Sequence, residues 1–325
     1  MTDLLVAIDL PAVEEPVRYL VLGILAALLV SMGKAGFGGG VGLLSYPLMI
    51  MACRGEAMKA AGIMLPLLVL CDYVSVLAWW RRWNIRVAVR LVPGLLVGLA
   101  VGCGILAAMG RLGRAADGSE AHGPSQADAA LMLAVGLIAL GFVVLQFLRR
   151  KKAARVPVAA ATEGAEASPS HASASRSMAP APANGDAARG DEEAHPSVPG
   201  FWETALLSTS GGVTTMLAHA AGPIITIYML RHSMPKDRFA ATTSFFYWIG
   251  NQIKIPLYVA LGLLDTEALV AAAWLAPAIV VGTLLGVLLN HRVRQAHFTG
   301  IVHVLLATVG VYLITKSLIA FFAMT

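Results

Sequence analysis

Two places in this chain read as copies of each other, and both interrupt an apolar run. The first is Gly36-Phe37-Gly38-Gly39-Gly40, with Tyr46 following; the second is His219-Ala220-Ala221-Gly222-Pro223, with Tyr228 at the same spacing from its last glycine. Downstream of each come a proline and two glycines in one pattern: Pro93, Gly98 and Gly102, then Pro277, Gly282 and Gly286. The interior of a bilayer offers no hydrogen bonds, so backbone that leaves the helix there survives only under protein cover or beside a cavity. Two such breaks in corresponding places predict two related membrane units, the plan of many secondary transporters.

Composition agrees. Of 325 residues, 58% are hydrophobic and 13% charged, against roughly 25% charged in a soluble domain. Apolar stretches run at about 17–33, 38–53, 60–80, 87–109 and 129–148, and again at about 201–218, 220–230, 239–262, 268–289 and 298–322. Those of about 20 residues can cross the hydrocarbon core as helices. Stretches 38–53 and 220–230 are short for a crossing, so each is expected to be half of a broken or re-entrant hairpin. The expected fold is an all-α polytopic membrane protein of about 8 transmembrane segments. Its two homologous halves form an inverted repeat with broken or re-entrant glycine-rich helices.

The segment between the halves differs. It opens with Arg149-Arg150-Lys151-Lys152, runs through Ala, Pro, Ser and Gly, and closes with Asp191-Glu192-Glu193. Too little apolar surface is present to offset its ordering entropy, which predicts a disordered linker. The domains expected are thus a first membrane repeat at 1–149, a linker at 150–200 and a second repeat at 201–325. The basic cluster places the linker in the cytoplasm. Counting crossings from there puts Arg81, Arg82, Arg86 and Arg90 inside, as well as Arg231, Lys236, Arg238, Arg292 and Arg294, provided 201–230 enters and returns. Asp265 and Glu267 come out outside, and both termini are expected to be periplasmic on a multi-pass inner-membrane protein. Acidic residues, and Arg18 alone among basic ones, precede or open the first apolar segment, so it is expected to be retained and not cleaved as a signal peptide.

A few polar residues stand out within the apolar runs. Lys34 adjoins Gly36, Gly38, Gly39 and Gly40; glycines let backbone N–H groups approach an anion closely, and a cation beside them completes an anion site. A lysine reaching to the interface from a helix end is the plainer reading. Tyr247, Asn251, Lys254 and Tyr258 share one helix face, a stripe of donors suited to oxyanion atoms or to bonds between helices. Asp72, on one face with Ser75 and Trp79, must pair with a cation or be protonated; Lys34 and Lys254 are the candidates, with a coupling role or a static ion pair as the two readings. His219, beside Thr214 and Thr215, is either a proton relay or a packed histidine. His219 and Gly222 are counted with Lys34, Gly36, Gly38, Gly39, Gly40, Asn251 and Lys254 as expected substrate-binding residues, while Pro223 and Pro256 are expected to shape breaks. No metal or other cofactor is expected: there is no HExxH, and Cys53, Cys71 and Cys103 lack CxxC spacing. The net charge of +5 gathers at segment ends and gives no reason to expect nucleic acid.

At these residues the chain resembles the sulfite exporter TauE/SafE family of membrane permeases. The resemblance rests on Lys34 through Gly40, Pro66 to Asp72 and on to Trp79, Thr215 through Pro223 with Tyr228, and Asn251-x-x-Lys254-x-Pro256-x-Tyr258. It covers nearly everything but the N-terminus and the insert. It implies an integral inner-membrane permease of two related halves that carries sulfite, organosulfonates or related sulfur-containing anions. Two departures are visible: Ala220-Ala221-Gly222 where members often have more glycine, and the long insert. The residues alone agree with a small anionic substrate, since two lysines lie in apolar helices without an acidic cluster. The expected function is a secondary carrier of a small sulfur oxyanion, with proton coupling through Asp72 or His219 as a hypothesis. An anion channel of the same fold, or a carrier of a carboxylate, are the alternatives. An enzyme is not expected, for no nucleophile motif is present.

Overall fold

The computed structural model describes residues 15–34, 41–116, 125–154, 199–232, 234–290 and 295–324. Gly36, Gly38, Gly39 and Gly40 lie outside these residues, as do 155–198 of the insert. The described chain is helical without strands. Its elements are α1 (Pro16–Met32), a 3-10 turn (Val41–Leu44), α2 (Ser45–Ala52), α3 (Ala57–Ala78), α4 (Ile85–Ala116) and α5 (Gln126–Ala154), then α6 (Phe201–Ala218), α7 (Gly222–Leu230), α8 (Lys236–Ala260), α9 (Thr266–Asn290) and α10 (Gln295–Met324).

Local chemistry sets the ends. Pro16 and Pro223 occupy the first turns of α1 and α7, where a missing N–H costs nothing. His219 ends α6 in the left-handed region at φ 52°, a conformation unusual outside glycine. Pro256, expected to mark a break, instead lies inside α8, which continues to Ala260; a single lost backbone donor does not end a helix packed on its neighbours. The boundary drawn at 149/150 likewise falls within a helix, because α5 runs on through Arg149–Lys152 to Ala154, and cations favour a helix C-terminus.

Among the described residues, five helices are long and apolar enough to cross a membrane: Ala57–Ala78, Ile85–Arg111, Gln126–Leu148, Thr266–Gly286 and His303–Phe322. That is fewer than the about 8 expected from apolar length. Pro16–Met32 and Gly42–Ala52 are apolar but shorter, and α8 carries a polar face. α3 is the central span, with 67% of its apolar window buried against 22–39% in the other four. The outer faces of α4, α5, α9 and α10 expose Val97, Val101, Leu145, Leu148, Leu284, Leu288, Val304 and Ile319, apolar surface on a scale that calls for lipid.

The two halves exchange helices. α4 packs on α6, and in return α9 packs on α1, while α3 meets α8 at the centre and α5 meets α10 at one flank. The proline–glycine motifs make these exchanges. A methyl group at Gly98 would meet the Thr209 carbonyl, Gly212 Cα at 2.8 Å and Val213 N at 2.9 Å, and one at Gly102 would meet Met216 Cβ at 2.6 Å. At Gly282 it would collide with Ser31 Oγ and lie 3.0 Å from Leu28 Cα. The backbones touch there, as small residues permit in membrane helix pairs.

Contacts between helix ends define two faces. One carries Glu15, Arg54, Asp128 and Lys316: Arg54 approaches Glu15 at 3.7 Å, Lys316 Nζ donates to the Arg54 carbonyl at 2.7 Å, and Asp128 accepts from the Met58 N–H at 2.8 Å. The other carries Arg82, Asn84, Arg231 and Asp237, where Arg82 meets Asp237 at 3.1 Å, the Asn84 N–H reaches Thr242 Oγ1 at 2.9 Å and Arg231 pairs with Glu203 at 2.5 Å. Glu15 with Arg54 and Glu203 with Arg231 hold together the outer ends of the two hairpins, α1–α2 and α6–α7. These hairpins therefore open at different faces.

Candidate functional site

Residues flanking the first break and residues of the second line one cavity. Its volume is about 40 Å³, and Gly33, Lys34 and Gly42 line it from the first hairpin, His219, Ala221 and Gly222 from the second. Val30 of α1, Tyr247 of α8 and Met64 and Leu68 of α3 complete the wall. A buried water needs about 10–15 Å³ on this measure, so the cavity suits a few waters or one small ion.

Its chemistry is cationic and donor-rich. Lys34 Nζ meets Asp72 Oδ1 at 2.5 Å, and Asn251 Nδ2 donates to Asp72 Oδ2 at 2.6 Å. Asp72 is fully buried, and this carboxylate is satisfied on both oxygens by one residue from α1's end and one from α8. Lys34 also lies 5.4 Å from the centre of the Tyr247 ring, within cation–π range. Lys254, fully buried as well, donates to the Thr215 carbonyl at 2.9 Å and contacts His219 Nδ1 at 2.8 Å. That carbonyl belongs to the last turn of α6 and also accepts the His219 N–H at 3.1 Å, so Lys254 uses its second lone pair. A lysine donating to Nδ1 makes that nitrogen the acceptor and leaves the ring hydrogen on Nε2. The ring sits edge-on to Tyr46 at 5.0 Å.

The two lysines are not equivalent. Lys34 faces a carboxylate, whereas Lys254 faces a carbonyl and an imidazole. Lys254 thus brings its donors to a place with no carboxylate of its own, and the N-terminus of α7 adds a positive partial charge where Ala221 and Gly222 line the wall. Every such element favours an anion.

A family model for the sulfite exporter TauE/SafE matches residues 22–313, a span from within α1 to within α10 that contains both hairpins and all the residues above. The chain belongs to the TauE/SafE sulfite exporter family. It is accordingly a multi-pass membrane protein of a transporter family, whose members' name assigns them a sulfur anion as substrate. No curated protein and no solved structure matches the chain.

Of the residues expected at a site in this TauE/SafE chain, Lys34, His219 and Gly222 lie on the cavity wall, and Asp72, Asn251 and Lys254 stand directly behind it, bonded to Lys34 or His219 or to each other. Pro223 sits one residue beyond the wall; Pro256 is remote from it along α8. The Tyr258 ring packs behind the site, 5.4 Å from Lys254 Nζ and 6.1 Å from the His219 ring, while its hydroxyl donates to the Met216 carbonyl at 3.0 Å. Val30, Met64 and Leu68 were missed, since an apolar wall residue has no signature that separates it from core. Among the described residues no group of His, Cys, Asp or Glu could hold a metal.

Proposed function

We propose that this protein is a secondary carrier of a small sulfur oxyanion, with sulfite the best fit, and that it binds the anion in the cavity between the two hairpin tips. The observation that carries this reading is the convergence of both breaks, one from each half, on a single small wall that holds Lys34 and His219, with Lys254 behind. Cavity size favours sulfite over an aromatic sulfonate, and lysine, backbone and phenol donors suit its oxygens. The reciprocal packing of α4 on α6 and α9 on α1, together with hairpins opening at different faces, supports an inverted repeat and hence alternating access, which favours a carrier over a channel. We place the Arg82–Arg231 face in the cytoplasm from its basic residues.

The test is uptake of labelled sulfite into proteoliposomes. Lys254→Met is expected to reduce flux by at least tenfold, because it removes the cation that faces no carboxylate. Flux equal to wild type would overturn the site. Coupling is assigned to Asp72, whose protonation would release Lys34 to the substrate. Per reconstituted molecule, Asp72→Asn is expected to make residual uptake indifferent to an imposed pH gradient; an undiminished response would remove Asp72 from coupling.

A further inference from the structure

Several buried polar atoms without a hydrogen-bond partner fall in one seam. They are Ser75 Oγ and Trp79 Nε1 on α3, and Thr243 Oγ1 and Tyr247 Oη on α8; Ser75 has only the weakly polar Cys71 thiol beside it. Unpaired buried donors are costly and rare in stable interiors. Helical spacing puts Ser75 and Trp79 on the face of α3 that carries the wall residues Met64 and Leu68. The same spacing puts Thr243 one turn before the wall residue Tyr247 on α8. α3 and α8 pack together and run in opposite directions, since the Arg82–Asp237 and Asn84–Thr242 contacts join the end of one to the start of the other. Both runs therefore lead from the cavity to the same face, the one bearing Arg82.

The other direction differs. There Tyr46 donates to the Ala57 carbonyl at 2.8 Å and Tyr258 to the Met216 carbonyl at 3.0 Å, both rings being wholly buried. Ser45 Oγ, also unpartnered, sits near the first hairpin's tip, and Trp248 and Gln252 lie on the outer side of α8, where Trp248 packs on the exposed Tyr73. Neither belongs to the seam.

We propose that the aqueous route joining the cavity to the Arg82 face runs along the α3–α8 seam over Ser75, Trp79, Thr243 and Tyr247, and that this conformation is sealed towards the opposite face by Tyr46 and Tyr258. All of these seam groups can donate a hydrogen bond and none is a carboxylate, so the route suits an oxyanion. The mouth adds Arg82, 5.9 Å from the Trp79 ring centre and paired with the Asp237 carboxylate at 3.1 Å. This inference rests on the cavity being the substrate site, and it adds the path and its direction.

The experiment replaces Cys53, Cys71 and Cys103, then introduces Ser75→Cys and Thr243→Cys singly, with Arg82→Cys as an exposed control. Proteoliposomes of known orientation are treated with a membrane-impermeant maleimide from either side, excess reagent is removed before any sulfite is added, and labelling is read by mass. Both seam cysteines are expected to react from the Arg82 side and at least tenfold more slowly from the other, and modification of Thr243→Cys with a bulky reagent is expected to cut sulfite flux at least tenfold. Failure of both to react where Arg82→Cys does, reaction from the opposite side, or labelling that leaves flux intact would each overturn the route. Labelling from the Arg82 side in a protein that carries no sulfite would uphold the aqueous path and overturn the substrate reading instead, so the two failures are distinguishable.

Discussion

Replacing Asp72 with asparagine is expected to destabilise the protein by about 3–5 kcal/mol, the usual cost of leaving one member of a buried ion pair alone. The Lys34 ammonium would then keep at most a neutral amide acceptor and the Tyr247 ring, 5.4 Å away, with no countercharge. The effect should be largely reversed in Lys34→Met/Asp72→Asn, because removing both charges removes the penalty as well as the attraction. Denaturant unfolding of the detergent-solubilised protein measures it. Transport separates from stability here: the double variant is expected to fold and to carry nothing, since Lys34 lines the cavity. A double variant no more stable than Asp72→Asn would mean that the pair's role is not electrostatic.

Gly98→Leu is expected to stop the protein accumulating in the membrane. A side chain there meets the Thr209 carbonyl and the Gly212 backbone of α6, and backbone cannot step aside as a side-chain tip can. The cost should exceed the ~1–3 kcal/mol typical of an overpacked core. Gly282→Leu should do the same in the second half, where Leu28 and Ser31 of α1 are the obstacles. Gly104→Leu is the control, with nothing within 4 Å of the added carbon, and is expected to accumulate like wild type. Immunoblots of membrane fractions, normalised to message, give the comparison. Equal loss at Gly104 would mean that the sensitivity lies in glycine's backbone freedom and not in the approach of α4 to α6.

These residues also show what the sequence made legible. Both breaks could be read because glycine, proline and histidine interrupt runs that must otherwise stay helical in lipid. The Pro-x4-Gly-x3-Gly motifs could be read as a repeat but not assigned a partner, since a small-residue face says that something comes close without saying what. Their partner is the other half's first helix in each case. Asp72 announced itself as a buried charge, while its choice of Lys34 over Lys254 depended on packing that brings α1's end against α3. Lys254 found instead the Thr215 carbonyl in the last turn of α6, which also accepts the His219 N–H, and the ring of His219. Thr243 extends the polar stripe of α8 by a turn, yet a threonine near the start of a helix carries no signal of its own. The glycines of the first break, Gly36 to Gly40, lie outside the described residues, and their part in anion binding remains a proposal.

The central claim is that the two hairpin tips form one anion site. Equilibrium binding of labelled sulfite to the purified protein tests it most directly, comparing wild type with Lys254→Met and with the surface variant Lys59→Ala. A single saturable site per chain, lost in Lys254→Met and unchanged in Lys59→Ala, is the predicted result. Wild-type affinity and stoichiometry in Lys254→Met would contradict it.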